Sequence, residues 1–199
     1  MIIEKWFSTP IMHHVLEKEQ LDNVQKEIDV ALPYIRQEDM SNPWGDSVKT
    51  SFKHGNFHPN LFEKFNIKVL PKIIDELKNN FLTSFKQKDF ESYKIIDSWL
   101  NISTRGGFQF EHSHTTPRSF RNYALSGVYY HQTTGDDGLI EFVSPNTLQA
   151  SNITFFGSQY IAYKPQIGKI LLFPSWLRHR VTINNTDSER ISISFNIGH

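Results

Sequence analysis

The chain has 199 residues, in which 21 lysines and arginines balance 21 aspartates and glutamates. This balance gives no electrostatic signal for nucleic acid or for another highly charged partner. The sequence contains no cysteine, which excludes disulfides, zinc–thiolate sites and thiol catalysis. The length predicts one domain over residues 1–199 with a sizeable core.

No segment of the sequence is apolar for long enough to cross a bilayer, and the first residues lack the pattern of a cleavable leader. We therefore expect a soluble protein that resides in the cytoplasm. The sequence does not disclose the oligomeric state, and a homodimer stays open.

The first 94 residues carry apolar side chains at helical spacing, which predicts two amphipathic helices. The two sets are Leu21, Val24, Ile28 and Leu32, followed by Leu70, Ile73, Leu77, Phe81 and Phe85. Pro33 is expected to end the first helix, and Pro71 fits the opening turn of the second, where a missing amide hydrogen has no consequence. The segment from Tyr34 to Pro59 is rich in turn residues, and we expect an irregular loop or a short hairpin there.

From about residue 95 onward, short apolar runs are separated by Gly, Pro and Asn turns. The predicted strands are Ile95–Ser103, Tyr123–Gln132, Leu139–Phe142, Tyr160–Tyr163, Lys169–Phe173, His179–Ile183 and Arg190–Ile197. Strands that follow a run of helices indicate an α+β fold. We expect a jelly-roll core over residues 95–199, with residues 1–94 forming a mainly helical buttress against one of its sheets.

Polar and apolar residues alternate without exception along the last predicted strand, Arg190–Ile197. Such alternation usually places the polar side chains in solvent and the apolar ones in the core. If helices cover the outside of the barrel, however, the apolar face meets the helices and the polar face lines an interior pocket. We expect this second arrangement.

A four-residue turn at residues 185–188 would pair the last two predicted strands with each other. The expected cross-strand pairs are Ile183 with Arg190, Val181 with Ser192, and His179 with Ser194. His179 and Arg190 would then face one cavity. A turn one residue longer or shorter would place them on opposite faces.

The run Glu111-His112-Ser113-His114 is typical of a metal site. Imidazoles two residues apart on an extended segment project to the same side, so His112 and His114 can bind one ion together. His179, from a distant strand, is the candidate for a third ligand. Three protein ligands leave coordination positions open for substrate and oxygen.

Together with Arg190-Ile191-Ser192, these histidines resemble the iron(II)/2-oxoglutarate-dependent oxygenases of the double-stranded β-helix fold. The likeness runs from Trp99 to Asn196, and more loosely takes in Phe7-Ser8-Thr9-Pro10. It is closest to a little-characterised oxygenase group of marine bacteria and phages, and it extends more broadly to prolyl hydroxylases.

The resemblance implies an enzyme with Fe(II) as its metal and 2-oxoglutarate as its cosubstrate. His112 and His179 would bind the iron. A second set of residues would form the cosubstrate site. Arg190, Ser192 and Tyr130 would bind the remote carboxylate of 2-oxoglutarate, and Asn101 or Ser103 would line the pocket. The basis for Tyr130 is the stretch Leu125–Tyr130 followed by Gly138–Phe142, which looks like a strand of the prolyl hydroxylases. The implied activity is hydroxylation, with release of succinate and CO2.

The departure from the family pattern is His114, which stands where these oxygenases carry a carboxylate. Three neutral imidazoles leave the metal one negative charge short, which changes metal affinity and redox tuning. We favour His114 as the second ligand, and the alternatives are Glu111, Asp137 or Glu141. Two other functional classes stay open: a three-histidine dioxygenase that uses no 2-oxoglutarate, and a non-catalytic jelly-roll module. The substrate, a small molecule or a peptide, is not disclosed by the sequence.

Several further residues carry weaker expectations. Cavity walls are expected from the aromatic residues Trp99, Phe108, Phe110 and Trp176, each of which has core packing as its alternative. Attraction of an acidic substrate, or simple exposure to solvent, is expected for Arg118, Arg121, Arg178 and Arg180. The remaining internal histidines, His13, His14, His54, His58 and His131, are expected to be incidental, with His131 facing outward on the side opposite Tyr130.

Overall fold

The computed structural model describes residues 9–38, 40–43, 45–52, 60–84, 92–115, 122–146 and 159–199. The described part of the first half contains three helices: α1 (Lys18–Arg36), α2 (Leu61–Lys64) and α3 (Val69–Thr83). The strands are β1 (Met12–Val15), β2 (Val48–Thr50), β3 (Lys94–Ser103), β4 (Gln109–His112), β5 (Tyr123–Gln132), β6 (Ile140–Val143), β7 (Tyr160–Tyr163), β8 (Lys169–Pro174), β9 (His179–Val181) and β10 (Arg190–Gly198).

The strands form two antiparallel sheets. The larger sheet has six strands in the order β1-β8-β5-β10-β3-β2, and the smaller has four in the order β4-β9-β6-β7. This mixture of helices and antiparallel sheets is consistent with the expected jelly roll. All seven predicted strands are present with small differences at their ends, such as β9, which ends at Val181 rather than Ile183.

Helix α1 contradicts the prediction that Pro33 ends it, because the helix continues to Arg36. Proline removes the amide that would donate to the carbonyl four residues earlier, so a cost is expected at this point. Ile35, one turn beyond Ala31, is completely buried in the main hydrophobic cluster. We attribute the last turn of the helix to this burial, which offsets the lost hydrogen bond.

Helix α3 begins as predicted, with Pro71 in its opening turn. The backbone amides of Lys68 and Val69 donate to the two carboxylate oxygens of Glu27 on α1, each at 2.8 Å. A carboxylate at this position satisfies orphan amides and opposes the positive end of the helix dipole. Glu27 therefore joins the two long helices at one end. Phe85, which was predicted to extend the apolar stripe, lies outside the described residues.

The segment between the long helices contains a short hairpin, one of its two expected forms, because Ser41 pairs with Thr50, although β2 itself was not among the predicted strands. Strand β2 pairs with the edge of β3, with Val48 opposite Ser103 and Thr50 opposite Asn101. Strand β1, at the other edge of the same sheet, was also not predicted. Both strands have four residues or fewer, too short to show a periodic pattern. Trp44 and residues 53–59 lie outside the described residues.

The main hydrophobic cluster lies between the helices and the larger sheet. It contains Val24, Ile28, Leu70 and Ile74 from the helices, and Ile191, Ile193, Phe195 and Ile197 from β10. The polar residues that alternate with these apolar ones line a cavity on the other face of the sheet: Arg190, Ser192, Ser194 and Asn196. The expected assignment of the two faces of the last strand is therefore confirmed. A second cluster, which includes Val128, Phe142 and Leu171, contains residues from both sheets.

The predicted hairpin between the last two strands is wrong. Strand β9 pairs with β4 and β6, whereas β10 pairs with β3 and β5, so the three expected pairs that began with Ile183 and Arg190 do not form. The connection crosses from one sheet to the other around Asn184, whose buried side-chain amide donates to the carbonyls of Ser103 and Ser188. His179 and Arg190 nevertheless line one cavity, because the two sheets face each other.

No helix within the described ranges is long and apolar enough to span a membrane.

Candidate metal centre

Three imidazoles converge between the two sheets. His112 is the last residue of β4, His114 follows two positions later, and His179 is the first residue of β9, directly opposite His112. One ring nitrogen from each lies within 4.8 Å of the others. Imidazole nitrogens at this spacing can bind a single divalent transition-metal ion and leave other coordination positions open.

Each of these rings is held through its Nδ1 atom. Nδ1 of His112 lies 2.7 Å from the carbonyl oxygen of Phe110, and Nδ1 of His179 lies 2.9 Å from that of Leu177. Nδ1 of His114 lies 2.6 Å from the side-chain oxygen of Asn196. Because a carbonyl oxygen only accepts, each Nδ1 carries the hydrogen and each Nε2 keeps a lone pair for a metal.

The electrostatics of the cluster favour neutral imidazoles. Burial lowers the pKa of His112, and burial together with the neighbouring His112 lowers the pKa of His114 to about 4. Burial and the two other histidines lower the pKa of His179 well below its usual value. Metal binding requires the unprotonated ring, so these residues do not have to lose protons near neutral pH before they bind an ion.

A cavity of about 480 Å³ adjoins the three histidines. Its lining includes the four polar residues of β10 and the predicted cosubstrate residues Asn101 and Tyr130. Ser103 is buried but does not line this cavity, so of the two alternatives on β3 only Asn101 reaches it. The structure thus brings together all the residues that the sequence assigned to metal and cosubstrate.

Arg190 places a buried positive charge in the wall of this cavity. It is only 5% exposed, and its Nη1 donates to the carbonyls of Asp137 at 2.8 Å and Gly138 at 3.2 Å. Its buried Nε has no partner, and no carboxylate among the described residues forms an ion pair with it. Burial lowers the pKa of Arg190, while Tyr130 and Asp137 oppose that shift. A buried guanidinium with an unused donor fits an external carboxylate.

Tyr130 supplies a neutral hydroxyl near Arg190. Burial raises its pKa to about 12, an effect that the charge of Arg190 reduces. The phenol therefore keeps its proton at neutral pH and can donate a hydrogen bond. Together, Tyr130 and Arg190 suit a fully ionised carboxylate.

Gly138 gives Arg190 the space it needs. Its backbone has φ +105°, a conformation that residues with a side chain rarely adopt. A Cβ at this position would lie 2.7 Å from Nη1 of Arg190 and 2.6 Å from the carbonyl oxygen of Thr182. Glycine is thus required both by the backbone and by the guanidinium packed against it.

The three alternative carboxylates bind elsewhere. Glu111 pairs with Arg178 and Glu141 pairs with Arg180, while the Asp137 carboxylate accepts from Thr133 and Thr134. None of them belongs to the metal-binding cluster found in the described part of the chain. The geometry therefore favours His114 as the second ligand. It also gives Arg178 and Arg180 surface ion-pair partners. Arg118 and Arg121 lie outside the described residues.

Of the four aromatic residues expected in the cavity wall, only Trp99 lines it. Its ring lies 5.7 Å from that of His114 and 5.1 Å from that of Phe52, measured between centroids. Phe110 is 63% exposed and Trp176 is 49% exposed, and Phe108 packs edge-on against Phe110. These three do not line the cavity, because aromatic composition alone does not specify where in the fold a ring lies.

His131 points away from the cavity, as the alternation along β5 requires, but it does not reach solvent. It is 5% exposed, and its Nε2 lies 2.9 Å from the carboxylate of Asp29 on α1. Burial lowers the pKa of His131, and Asp29 opposes that shift. Helix α1 covers this face of the sheet, which the sequence did not reveal. His13 and His14 lie on β1 outside the metal cluster, and His54 and His58 lie outside the described residues.

Two residues of the site were not identified from the sequence. Asn196 was placed on the polar face of the last strand by the alternation, but nothing in the pattern indicated that it would meet His114. Gly138 lay in a segment similar to the prolyl hydroxylases, but its contact with Arg190 depends on a tertiary approach that a single sequence does not show.

A family model described as "Putative 2OG-Fe(II) oxygenase" matches residues 97–196, about half of the 199-residue chain. The chain belongs to this oxygenase family. The match begins two residues before the expected start of the likeness and ends at Asn196, as expected. Family membership identifies the protein as a 2-oxoglutarate-dependent oxygenase with Fe(II) as its metal. No curated protein matches the sequence.

Solved structures agree with this family assignment at the level of fold. HygX from Streptomyces hygroscopicus, with nickel and 2-oxoglutarate bound, is 11% identical with a TM-score of 0.60, over 96% of this oxygenase and 83% of HygX. A prolyl-4-hydroxylase from Pseudomonas putida is 12% identical with a TM-score of 0.62, over 96% and 94% of the two chains. A 2OG-Fe(II) oxygenase family protein from Burkholderia pseudomallei is 15% identical with a TM-score of 0.62, over 94% and 84%.

Proposed function

We propose that this oxygenase hydroxylates a C–H bond of a small molecule or a peptide. In the balanced reaction, one oxygen atom of O2 enters the substrate as a hydroxyl group and the other enters succinate, while 2-oxoglutarate loses CO2. The four electrons that reduce O2 come in equal parts from the C–H bond and from the oxidative decarboxylation. Bound Fe(II) would supply the activation of O2.

The observation that carries this proposal is that two features line one cavity. They are three histidines held through their Nδ1 atoms and a buried guanidinium that has no carboxylate partner among the described residues. His112, His114 and His179 would hold the metal through Nε2, because their Nδ1 atoms are occupied. Arg190 would bind the remote carboxylate of 2-oxoglutarate through its unused donor. A dicarboxylate such as 2-oxoglutarate could bind the metal at one end and the guanidinium at the other. The three histidines and Arg190 line the same cavity, so one molecule could bridge them.

Other residues would complete the cosubstrate site. Ser192 lies opposite both Asn101 on β3 and Tyr130 on β5, so the three side chains form a polar row across the sheet. All three line the cavity and are almost completely buried. The Asn101 amide already donates to Ser194, and a bound 2-oxoglutarate would give these buried hydroxyl and amide groups further partners.

The substrate would meet the metal beside Trp99. The Trp99 ring is close to that of His114 and continues to Phe52, which forms an apolar wall next to the metal ligands. Such a wall excludes water from a reacting C–H bond. It also supports the proposal of an organic substrate with an apolar reacting group rather than a nucleic-acid backbone.

The test is Fe(II)-dependent formation of succinate from 2-oxoglutarate in the presence of O2, followed by mass spectrometry of candidate substrates under ¹⁸O2. His179→Ala is the matched negative control, since it removes one ligand from the same cluster. We expect succinate with the unaltered protein and none with the control. Equal succinate from both proteins, or none from either, would contradict the proposal.

Two other functions make different predictions. A three-histidine dioxygenase without a cosubstrate would bind metal but not 2-oxoglutarate. It is favoured by the absence of a carboxylate ligand from the cluster among the described residues. A non-catalytic jelly-roll module would bind no stoichiometric metal. Calorimetric titration with metal and then with 2-oxoglutarate separates all three.

A further inference from the structure

His114 is held differently from the other two histidines. The Nδ1 atoms of His112 and His179 each donate to a backbone carbonyl two residues earlier, so the adjacent backbone orients each ring. His114 lies beyond the end of β4, and its Nδ1 donates to a side chain, the amide of Asn196 on β10. Its ring orientation therefore depends on a residue 82 positions away in the sequence.

A buried polar network holds Asn196 itself. Asn196 is 3% exposed, and its side-chain oxygen accepts from Ser126 at 2.7 Å as well as from His114. The Ser126 hydroxyl lies 2.8 Å from the hydroxyl of Ser175, and the backbone amide of His114 donates to the carbonyl of Ser175 at 2.9 Å. Both serines are completely buried. The network thus attaches the ring and the backbone of His114 to the larger sheet.

We propose that Asn196 is the positioning residue that makes His114 a metal ligand in place of the usual carboxylate. This inference rests on the proposed metal centre. The amide oxygen keeps the hydrogen of His114 on Nδ1 and turns Nε2 toward the other two imidazoles. Because an amide is neutral, it does so without adding the negative charge that an aspartate in this position would place behind the ring.

Strand β10 contributes both Asn196 and Arg190 to the site. Arg190 and Asn196 lie six residues apart on the same face, as the alternation requires. Arg190 would hold the far end of the cosubstrate, and Asn196 holds a ligand of the metal at the near end. A single strand would therefore position the guanidinium and one metal ligand, and so fix the distance between the metal and the guanidinium.

The test compares Asn196→Leu, which keeps the size of the side chain but removes the acceptor, with Asn196→Asp, which retains an acceptor. The first readout is the tautomer of His114 in metal-free protein, measured by ¹⁵N NMR of the imidazoles and assigned with His114→Gln. We expect a single Nδ1–H tautomer in the unaltered protein and in Asn196→Asp, and a mixture of tautomers in Asn196→Leu.

The second readout is affinity for Co(II), measured by calorimetry. Loss of an outer-sphere partner of a histidine ligand weakens metal binding by about 10-fold to 100-fold, which we expect for Asn196→Leu but not for Asn196→Asp. Asn60→Leu is the matched control, because Asn60 lies outside the cavity and its side-chain oxygen accepts from the Phe62 amide and the Ser98 hydroxyl rather than from a histidine. We expect Asn60→Leu to leave Co(II) affinity unchanged.

Asn196→Leu with an unchanged His114 tautomer or unchanged Co(II) affinity would overturn the inference. So would an equal loss of Co(II) affinity in Asn60→Leu. Asn196→Ser, too short to reach His114, gives the same comparison if the leucine variant does not fold. Absence of Co(II) binding in the unaltered protein would refute the proposed metal centre, while the tautomer of His114 would still decide whether Asn196 orients it.

Discussion

Replacement of Arg190 by methionine should abolish tight binding of 2-oxoglutarate without loss of metal. The guanidinium is 5% exposed and has an unused Nε–H donor, so a carboxylate bound there would form a desolvated, charge-assisted pair. Truncation of one partner of such a pair costs about 2–5 kcal/mol. At about 1.4 kcal/mol per tenfold change, this predicts a roughly 30-fold to 4,000-fold rise in Kd.

The assay is calorimetric titration of Co(II)-loaded protein with 2-oxoglutarate in the absence of O2. Arg36→Met is the matched control, because Arg36 forms an exposed ion pair with Glu189 outside the cavity and should leave Kd unchanged. Thermal denaturation checks that Arg190→Met still folds, since two backbone carbonyls lose their donor. A Kd within about threefold of the unaltered protein would refute the assignment of Arg190.

Three further predictions follow from the site and its surroundings. Gly138→Ala should reduce the free energy of unfolding by about 1–3 kcal/mol, because alanine strains a backbone with positive φ. It should also weaken 2-oxoglutarate binding, because the new methyl group displaces Arg190, and an unchanged Kd would contradict this. His114→Ala should weaken Co(II) binding by at least about 10–100-fold while Glu141→Gln has no effect, and the reverse result would identify a carboxylate ligand. His131→Asn should make the stability of metal-free protein less sensitive to acid. The pKa of His131 is lowered in the folded state, so below the ordinary histidine pKa the unfolded chain binds an extra proton and the folded state loses stability as pH decreases. The free energy of unfolding is measured by denaturant titration at pH 7 and pH 5. An equal decrease between these pH values in the unaltered protein and in His131→Asn would contradict this.

Local patterns in the sequence predicted the parts of the site that depend on alternation. The strict polar and apolar order of β10 placed Arg190, Ser192 and Asn196 on one face, and the structure confirms that this face lines the cavity. The spacing of His112 and His114 likewise placed both rings on one side. The inference for β10 held because the side-chain period of a strand does not depend on its tertiary partners. His114 lies beyond the end of β4, and its ring is oriented by Asn196.

The features that failed were those decided by tertiary contacts. Pro33 did not end α1, because burial of Ile35 extends the helix by a turn. The prediction of a hairpin between β9 and β10 was wrong, because the chain passes from one sheet to the other at Asn184, whose side-chain amide binds the carbonyls of Ser103 and Ser188. His131 reaches an aspartate rather than solvent because a helix lies over it. Each outcome depends on a neighbour distant in sequence, which a local pattern cannot specify.

The division of the site between two sheets has a consequence for the choice of oxo acid. His112 and His179 belong to the smaller sheet and Arg190 to the larger, so the gap between the layers sets the span that a bridging acid must match. Oxaloacetate, shorter by one methylene, should fall short of the guanidinium, and 2-oxoadipate, longer by one, should be compressed. Chain-length selection would thus be a property of how the two layers pack rather than of any single side chain.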